Sequence, residues 1–487
     1  MNTYKNLLLL CTISSFLLAC KGKEEAPSTD GTVRIAWNEE KQTIDGFGVA
    51  QAGWADRLYA HQQREEVMNL MFGTDGLHLS ILRGEVFPHY WETSSDKDFN
   101  LNDPIDLPIT DPIITEKTDD RTRRGQLWVT KMAKEKIHVD KLFFSVWSAP
   151  AHMKTNGQVS QGELKESSFQ DFADYLTAFY KAYSSIGLEP YAISPSNEPG
   201  YAAPWNSSLW TAGKMGQFIT QYLGPTFEKE GVGAHIVFGE NPFWSAVSSQ
   251  ADFVSSQHFV STILTDYPEI SKFHPIAAGH GYTLPDSYPA PKDSLKTPIV
   301  AFPLAEKAGI PVWLTEISDV TPLDTTLQDG VKWAATFHEF LTSANVSACI
   351  WWAGALPAGN NEGLIVLNED NAGYRMTKRF YTFGNFSRYI PVGSKRIDAT
   401  MDATGDSLLV SAYKQENDFT LVAINPSLND RNVSLQMDGQ QLSGTLNRYL
   451  TSETANWEPS AVEPDKKGCY ILNIPAGTVA TFTGKIK

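Results

Sequence analysis

Between about residue 45 and residue 390 the chain repeats one pattern eight times: a short apolar run, followed in most intervals by a stretch with helical spacing. The apolar runs cover 46–49, 77–86, 141–146, 190–194, 235–238, 275–278, 312–315 and 348–352. Short apolar runs separated by helical patterns fit strands of a parallel sheet, buried on both faces. The stretch 170–183 sets Phe172, Leu176, Phe179, Tyr180 and Tyr183 on one face at 3–4 spacing, and 64–72 and 331–341 read the same way. Eight βα units close most simply into a (β/α)8 barrel. A doubly wound open sheet is the competing arrangement, but it usually carries a Gly-rich first turn.

After residue 389 the texture changes. The runs 407–413, 419–424, 433–437, 444–450, 469–474 and 478–482 are short, alternating and separated by Asn, Asp, Gly and Pro. That pattern predicts an antiparallel β-sandwich. The stretch 32–37 is another strand candidate; it precedes the barrel and is expected to join the sandwich. Between 386 and 396 the chain runs directly from helix pattern to strand pattern, so the two bodies are expected to be tied at both ends. The expected organisation is a leader over 1–19, a tether over 20–31, the N-terminal strand region over 32–45, the barrel over 46–389 and the sandwich over 390–487.

The leader has its own logic. Lys5 is followed by a mostly apolar stretch, 7–18, too short to cross a bilayer as a mature helix. It ends in Leu17-Leu18-Ala19-Cys20, which resembles a bacterial lipobox, with Cys20 as the lipidated new N-terminus. The polar residues 21–28 then read as a flexible tether. The expected location is the outer membrane, on its periplasmic side or at the cell surface, held by acyl chains alone.

Charge and cysteine content remove several chemistries. Lys and Arg number 40 against 56 Asp and Glu, a net charge of −16, without a basic run. Nucleic acid is therefore a poor partner. Once Cys11 leaves with the leader and Cys20 becomes the anchor, only Cys349 and Cys469 remain, so there is no disulfide framework or CxxC site. Cys349, in an apolar run, reads as a small buried hydrophobe. HExxH, GxSxG, P-loop and GxGxxG patterns are all missing, so the sequence calls for neither metal nor cofactor. A monomer is the expected state.

In a barrel, function gathers where the strands end. The fourth run is followed by Asn197-Glu198-Pro199, and the seventh by Glu316. One Glu at a strand end is usually a cap or a solvated loop residue. Two converging at one mouth suit glycosidic cleavage, which needs two carboxylates. Asn197 is placed to bond a sugar 2-hydroxyl, and Pro199 turns the chain out of the strand.

The sequence resembles glycoside hydrolase family 30, from Gln42 to the C-terminus. The resemblance rests on Gln42-Thr43-Ile44-Asp45-Gly46-Phe47-Gly48, the run from Ser145 through Trp147 to Asn156, Asn197-Glu198-Pro199, His280-Gly281-Tyr282, Thr315-Glu316 and the run from Phe386 to Pro391. It implies a retaining enzyme built from a (β/α)8 barrel and an attached sandwich. Glu198 would be the acid/base and Glu316 the nucleophile. Arg83, ending the second strand, is the expected cation beside Glu316, with Tyr282 as a further donor. Trp147, His280 and Trp352 are expected to line the sugar site; of Trp351 and Trp352, only one can face the mouth. Trp54, Trp91, Trp205 and Trp244 lie in candidate loops and are expected to stack on further sugars.

The motifs look most like the xylan-cleaving branches. The glucuronate-specific branch, however, carries an Arg before a Gly-Leu-Ile after the eighth strand, where this chain has Gly359-Asn360-Asn361-Glu362. An acidic loop would repel a uronic acid. Other branches cleave β-1,6-glucan, β-1,6-galactan or glucosylceramide. A surface glycan-binding lipoprotein without catalysis is the reading from a different class, and it has no need for both Glu198 and Glu316.

Overall fold

The structure is a computed structural model and describes residues 29–51, 54–88, 125–245, 255–282, 298–402 and 408–487. Strand β1 (Thr32–Thr43) comes first, followed by eight strands that close into a barrel. These are β2 (Gly46–Ala50), β3 (Ile81–Glu85), β4 (Lys141–Ser145), β5 (Ala192–Ser194), β6 (His235–Phe238), β7 (Pro275–His280), β8 (Val312–Glu316) and β9 (Ala348–Trp351). All eight neighbour pairs are parallel, β2 with β9 included. The leader with Cys20 lies outside the described residues, as does Trp91.

The helix pattern read from the sequence has a direct counterpart in Phe169–Ser185, where Phe172, Leu176, Phe179, Tyr180 and Tyr183 are all buried. Inside the barrel, Ile81, Phe143, Ala192, Val237, Ile276, Ala278, Trp313, Ala348 and Ile350 form an apolar plug. Trp313 stacks on Tyr191, with ring centroids 6.0 Å apart, and donates its indole N–H to Asp45. This plug is the floor on which the polar side chains at the strand ends stand.

Past the eighth barrel strand the chain makes a small sheet that the sequence pattern did not announce: β10 (Ala353–Pro357), β11 (Gly363–Leu367) and β12 (Tyr374–Met376). The helix Lys378–Ser387, capped by Thr377, then leads to the second body. Its strands are β13 (Lys395–Asp402), β14 (Leu409–Gln415), β15 (Asp418–Asn425), β16 (Arg431–Asp438), β17 (Leu442–Thr451), β18 (Glu458–Val462), β19 (Tyr470–Ile474) and β20 (Thr478–Ile486). With β1 they form nine hydrogen-bonded strands in the order β18-β17-β20-β15-β14-β13-β1-β16-β19, folded so that β18 and β19 touch. The enclosed core includes Val33, Ile35, Phe419, Leu421, Val433, Leu472 and Phe482.

Two details depart from the expected pattern. Strand β1 pairs antiparallel with β13 but parallel with β16, so the body is not wholly antiparallel. Strands β13 and β18 are too polar to stand out as apolar alternation, and backbone pairing with their neighbours supplies what their side chains do not. The two bodies share one core: Tyr413, Val422, Ile424 and Val479 pack in the same cluster as the barrel helices. Asn385, buried on the last barrel helix, binds Tyr449, Thr451 and Thr481 across the junction.

Candidate active site

Strand β5 ends at Ser194, and four residues later Glu198 sits at φ +47°, a left-handed backbone that is rare for a residue with a side chain. Its N–H donates to the Glu240 carbonyl, 2.9 Å away. Glu240 follows β6 and is itself at φ +39°. Gly239, at φ +113°, makes that turn possible: a Cβ there would lie 2.2 Å from the Ala278 carbonyl oxygen. Glu316 is the last residue of β8.

Arg83, fully buried on β3, joins these carboxylates. Its Nη1 donates to Glu316 Oε2 at 2.6 Å, and its Nη2 donates to Asn197 Oδ1 at 2.6 Å and Glu240 Oε1 at 3.0 Å. The other Glu316 oxygen, Oε1, accepts from Tyr282 Oη at 3.0 Å. Each oxygen of Glu316 thus has its own donor, which fixes the plane of the carboxylate. The Trp147 ring lies under the Arg83 guanidinium, 4.7 Å away, and beside Trp352, 5.9 Å between centroids.

His280, at the end of β7, stands among three carboxyl groups. Its Nδ1 is 3.2 Å from Glu198 Oε1 and 3.8 Å from Glu316 Oε1, and its Nε2 is 3.7 Å from Glu240 Oε1. Burial opposes a charged imidazole, but Glu316, Glu198 and Glu240 outweigh it and raise His280 to about 9. Glu240 shows the mirror case. Burial would raise it, yet Arg83, His280 and Ser145 hold it down to about 2. Glu198 is raised: burial acts first and Glu316 adds to it, against the pull of His280 and Arg83. Two cations, Arg83 and His280, therefore face the carboxylates of Glu240 and Glu316, while Glu198 is biased toward its neutral acid.

Donor atoms of Glu198, His280 and Glu316 lie within 4.8 Å of one another, close enough to invite a cation. The Arg83 guanidinium already occupies Glu316, and a metal ion would meet that charge at short range. With Arg83 on Glu316 and Glu198 biased toward its neutral acid, the donor set fits acid–base and nucleophilic chemistry better than metal binding.

The structure brings Glu198, Glu316, Asn197, Arg83, Trp147, His280, Tyr282 and Trp352 together at one mouth. Trp205 is 43% exposed beside Tyr201 on the loop after β5, at the same end of the barrel. Trp54 must be corrected. It is fully buried, donates its indole N–H to the Ala50 carbonyl and packs under Gly354, so it is a core residue and not a sugar platform. Trp244 is likewise core, stacked on Phe302 and bonded to the Val300 carbonyl. Of the neighbouring pair, Trp351 points outward onto Trp333, which leaves Trp352 for the mouth.

Sequence reasoning missed Glu240. The rule that found Glu198 and Glu316, a carboxylate just past a buried strand, also fits Gly239-Glu240 after 235–238. It missed Glu85 too, two residues beyond Arg83 on the same face of β3. Burial raises Glu85 to about 8 against the opposing pull of Asn206 and Arg83, and its Oε1 has no hydrogen-bond partner.

Comparison with known proteins points one way. Residues 114–366 match the model of O-glycosyl hydrolase family 30. Glucuronoxylanase XynC of Bacillus subtilis (strain 168) is 26% identical over 488 residues, 98% of this chain and 97% of that protein. Endo-1,6-beta-D-glucanase neg1 of Aspergillus fumigatus is 23% identical over 458 residues, 86% of each. Among solved structures, the family 30 subfamily 8 xylanase Xyn30A of Clostridium acetobutylicum superposes with a TM-score of 0.70 at 26% identity, covering 93% of this chain and 99% of that one.

Proposed function

Since this chain belongs to glycoside hydrolase family 30 and is a glycosidase, we propose that Glu198 and Glu316 carry out a retaining double displacement on a xylan-type β-linked polysaccharide. One observation carries the mechanistic part: an oxygen of Glu198 and one of Glu316 lie within 4.8 Å. Retaining enzymes hold their carboxyl groups about 5–5.5 Å apart, whereas inverting ones leave about 6.5–9.5 Å for a water.

The steps follow from the residues. Glu316 attacks the anomeric carbon, while Glu198 gives its proton to the departing glycosidic oxygen. The leaving sugar is released and a glycosyl ester on Glu316 remains. Glu198, now a carboxylate, takes a proton from water, whose oxygen attacks the same carbon and frees Glu316. Arg83 and Tyr282 hold Glu316 along the attack line. Asn197, fixed by Arg83, meets the sugar 2-hydroxyl. Trp147, Trp352 and His280 line the sugar site, with Trp205 as an outer platform.

Similarity to XynC and Xyn30A supports xylan as the substrate class. Glu362 argues against glucuronate side chains as the recognised feature, because its carboxyl stands close enough to Glu316 for the two to repel. Similarity to neg1 supports β-1,6-glucan as the second reading. Cleavage at Cys20 and lipidation would place the enzyme at the outer membrane.

The test is a substrate screen. Purified protein is incubated with glucuronoxylan, arabinoxylan, undecorated xylo-oligosaccharides, β-1,6-glucan and β-1,6-galactan. Product size is read by chromatography, and the first-formed anomer by proton NMR. Retained β-anomer from undecorated xylan is expected. The Glu316→Gln variant should lose about 10⁴-fold or more in kcat with its melting temperature intact. First-formed α-anomer would overturn retention, and turnover of β-1,6-glucan alone would replace the xylan reading. Binding without cleavage of any of them favours the non-catalytic glycan binder.

A further inference from the structure

A buried lysine sits where the loop after β4 meets the loop after β5. Lys154 is fully buried, and its Nζ donates to Ser148 Oγ at 3.0 Å and to the Ser207 carbonyl at 2.5 Å. Buried cations are normally paired with a carboxylate. None among the described residues pairs with Lys154, and burial lowers its pKa to about 7. A neutral amine keeps two N–H groups for two acceptors, so both bonds survive loss of the charge.

The two acceptors belong to different parts of the mouth. Ser148 follows Trp147, whose ring lies 4.7 Å from the Arg83 guanidinium. Ser207 lies two residues beyond Trp205, and its Oγ donates to the Trp205 carbonyl at 3.1 Å and the Ala203 carbonyl at 2.9 Å. Backbone bonds lace the same two loops together. Ser207 N–H donates to the Val159 carbonyl at 3.0 Å, Leu209 N–H to the Gly162 carbonyl at 2.8 Å, and Ala149 N–H to Ser208 Oγ at 3.2 Å. This laced surface carries Tyr201 and Trp205, 41% and 43% exposed, edge to face with centroids 6.2 Å apart. Apart from Leu428 on the second body, no other large hydrophobic side chain among the described residues is so exposed. Tyr201 N–H donates to the Glu198 carbonyl at 2.9 Å, so the aromatic pair stands on the same loop as Glu198.

We propose that Lys154 is a positioning residue that fixes the spacing between Trp147 at the catalytic sugar and the Tyr201–Trp205 pair, and that this pair takes a sugar of the leaving chain. The proposal rests on Glu198 being the acid. The acid stands beside the oxygen that joins the catalytic sugar to the leaving one, so a platform three residues further along its loop lies on the leaving side. An exposed aromatic pair offers a flat apolar surface to a sugar ring. Such a surface adds most to binding when it is already in place, because ordering a loose loop costs affinity. Lys154 touches neither sugar nor reacting atoms. Its influence is confined to substrates long enough to span Trp147 and Trp205, whereas a lysine that only held the fold together would affect every substrate alike.

The experiment compares two substrates on the purified protein: an aryl β-xylobioside, which places no sugar on the leaving side, and xylohexaose. Initial rates give kcat and KM for wild type, Lys154→Met, Lys154→Arg, Trp205→Ala and the Lys154→Met/Trp205→Ala double variant. Lys154→Met removes both donors at similar length. It is expected to stay within about threefold of wild type on the aryl substrate and to raise KM for xylohexaose about tenfold, the scale of one or two lost hydrogen bonds. Lys154→Arg keeps donors and should recover xylohexaose KM to within about threefold of wild type. The double variant should match Trp205→Ala on xylohexaose, because the lysine acts through the platform. Equal losses on both substrates, an unchanged KM for xylohexaose, or additive losses in the double variant overturn the proposal. If Lys154→Met does not fold, Ser148→Ala replaces it: the same split at about threefold is expected, and its absence overturns the proposal. The wild-type control keeps the two levels apart. If wild type leaves the aryl xylobioside intact, the xylan reading falls, and the split is measured instead on an aryl β-gentiobioside and β-1,6-linked glucohexaose. Glu198→Gln on the aryl substrate judges the acid assignment separately.

Discussion

The backbone N–H of Glu198 donates to the carbonyl of Glu240 at 2.9 Å, and both residues sit at positive φ. Left-handed backbone costs a side-chain-bearing residue about 1–3 kcal/mol and persists only where its surroundings enforce it. Here the two strained residues hold each other, and the arrangement delivers two carboxyl groups of opposite character to the same histidine.

That pairing makes Glu240 a residue to test. Glu240→Gln removes the charge that Arg83 and His280 share, so His280 holds its proton less tightly and Arg83 keeps only Glu316 and Asn197. We expect kcat to fall by about 10²-fold at pH 6, the scale of losing one preorganised electrostatic contact. Kinetics on the best substrate from the screen decide it; wild-type rates would reduce Glu240 to a packing role.

The alkaline side of the pH profile should report Glu198. Its acid form is favoured by burial and by Glu316, and the acid is the form that protonates the leaving group. As pH rises through its raised pKa the proton is lost and kcat/KM on polysaccharide must fall. Glu198→Gln should leave activated aryl glycosides much better substrates than xylan. Equal losses on both substrates would remove Glu198 from the acid role.

Glu85 predicts a stability effect with a definite sign. Its pKa is about 8 in the fold against an ordinary 4.5. Between those values the folded state binds the extra proton, so stability drops as pH rises from 4.5 to 8 and levels off above. Glu85→Gln removes this dependence. Thermal melts should show a higher melting temperature for the variant at pH 8 and little difference at pH 4.5. A gain of equal size at both pH values would show that the carboxyl group does not titrate there.

If acyl chains on Cys20 are the anchor, as proposed, Cys20→Ala should move the protein from the membrane fraction to the soluble fraction of the producing cell. Fractionation and immunoblotting read the result, and retention in the membrane would dismiss the lipid anchor.

Removing residues 390–487 should yield insoluble protein. The deletion strips Tyr413, Val422, Ile424 and Val479 from the cluster they share with the barrel helices and leaves Asn385 without Tyr449, Thr451 and Thr481. A soluble truncated barrel with full activity would show that the second body is dispensable.

The barrel was legible in the sequence because each strand is buried on both faces, so the apolar runs are continuous and their number is countable. The position of Glu198 and Glu316 at one mouth was legible because both follow buried runs, as a pair, within Asn197-Glu198-Pro199 and Thr315-Glu316, motifs that resemble the family's. Glu240 passed unnoticed for want of a flanking signal like Asn197 or Pro199. Trp54 was misread because a loop position in the sequence says nothing about depth: the ring turns inward and satisfies its N–H on the Ala50 carbonyl. Strand β13 hid because its polar residues are held by backbone pairing, which leaves no hydrophobic trace. Glu362 lies on a loop whose distance to Glu316 is set wholly by the fold.

The double pairing of β1 also governs the order in which the molecule can be completed. Thr32 meets Ser434 across 402 residues of chain, and its other neighbour is Asp402. A ribosome must therefore deliver the whole barrel before the first strand finds either partner, and until then both edges of β1 offer unpaired N–H and C=O groups to any passing strand. Closing so long a loop is slow by nature, and the return of the C-terminal strands to β1 can come only after the rest of the barrel has been made. The interval before that return is when a newly made chain is most exposed to aggregation.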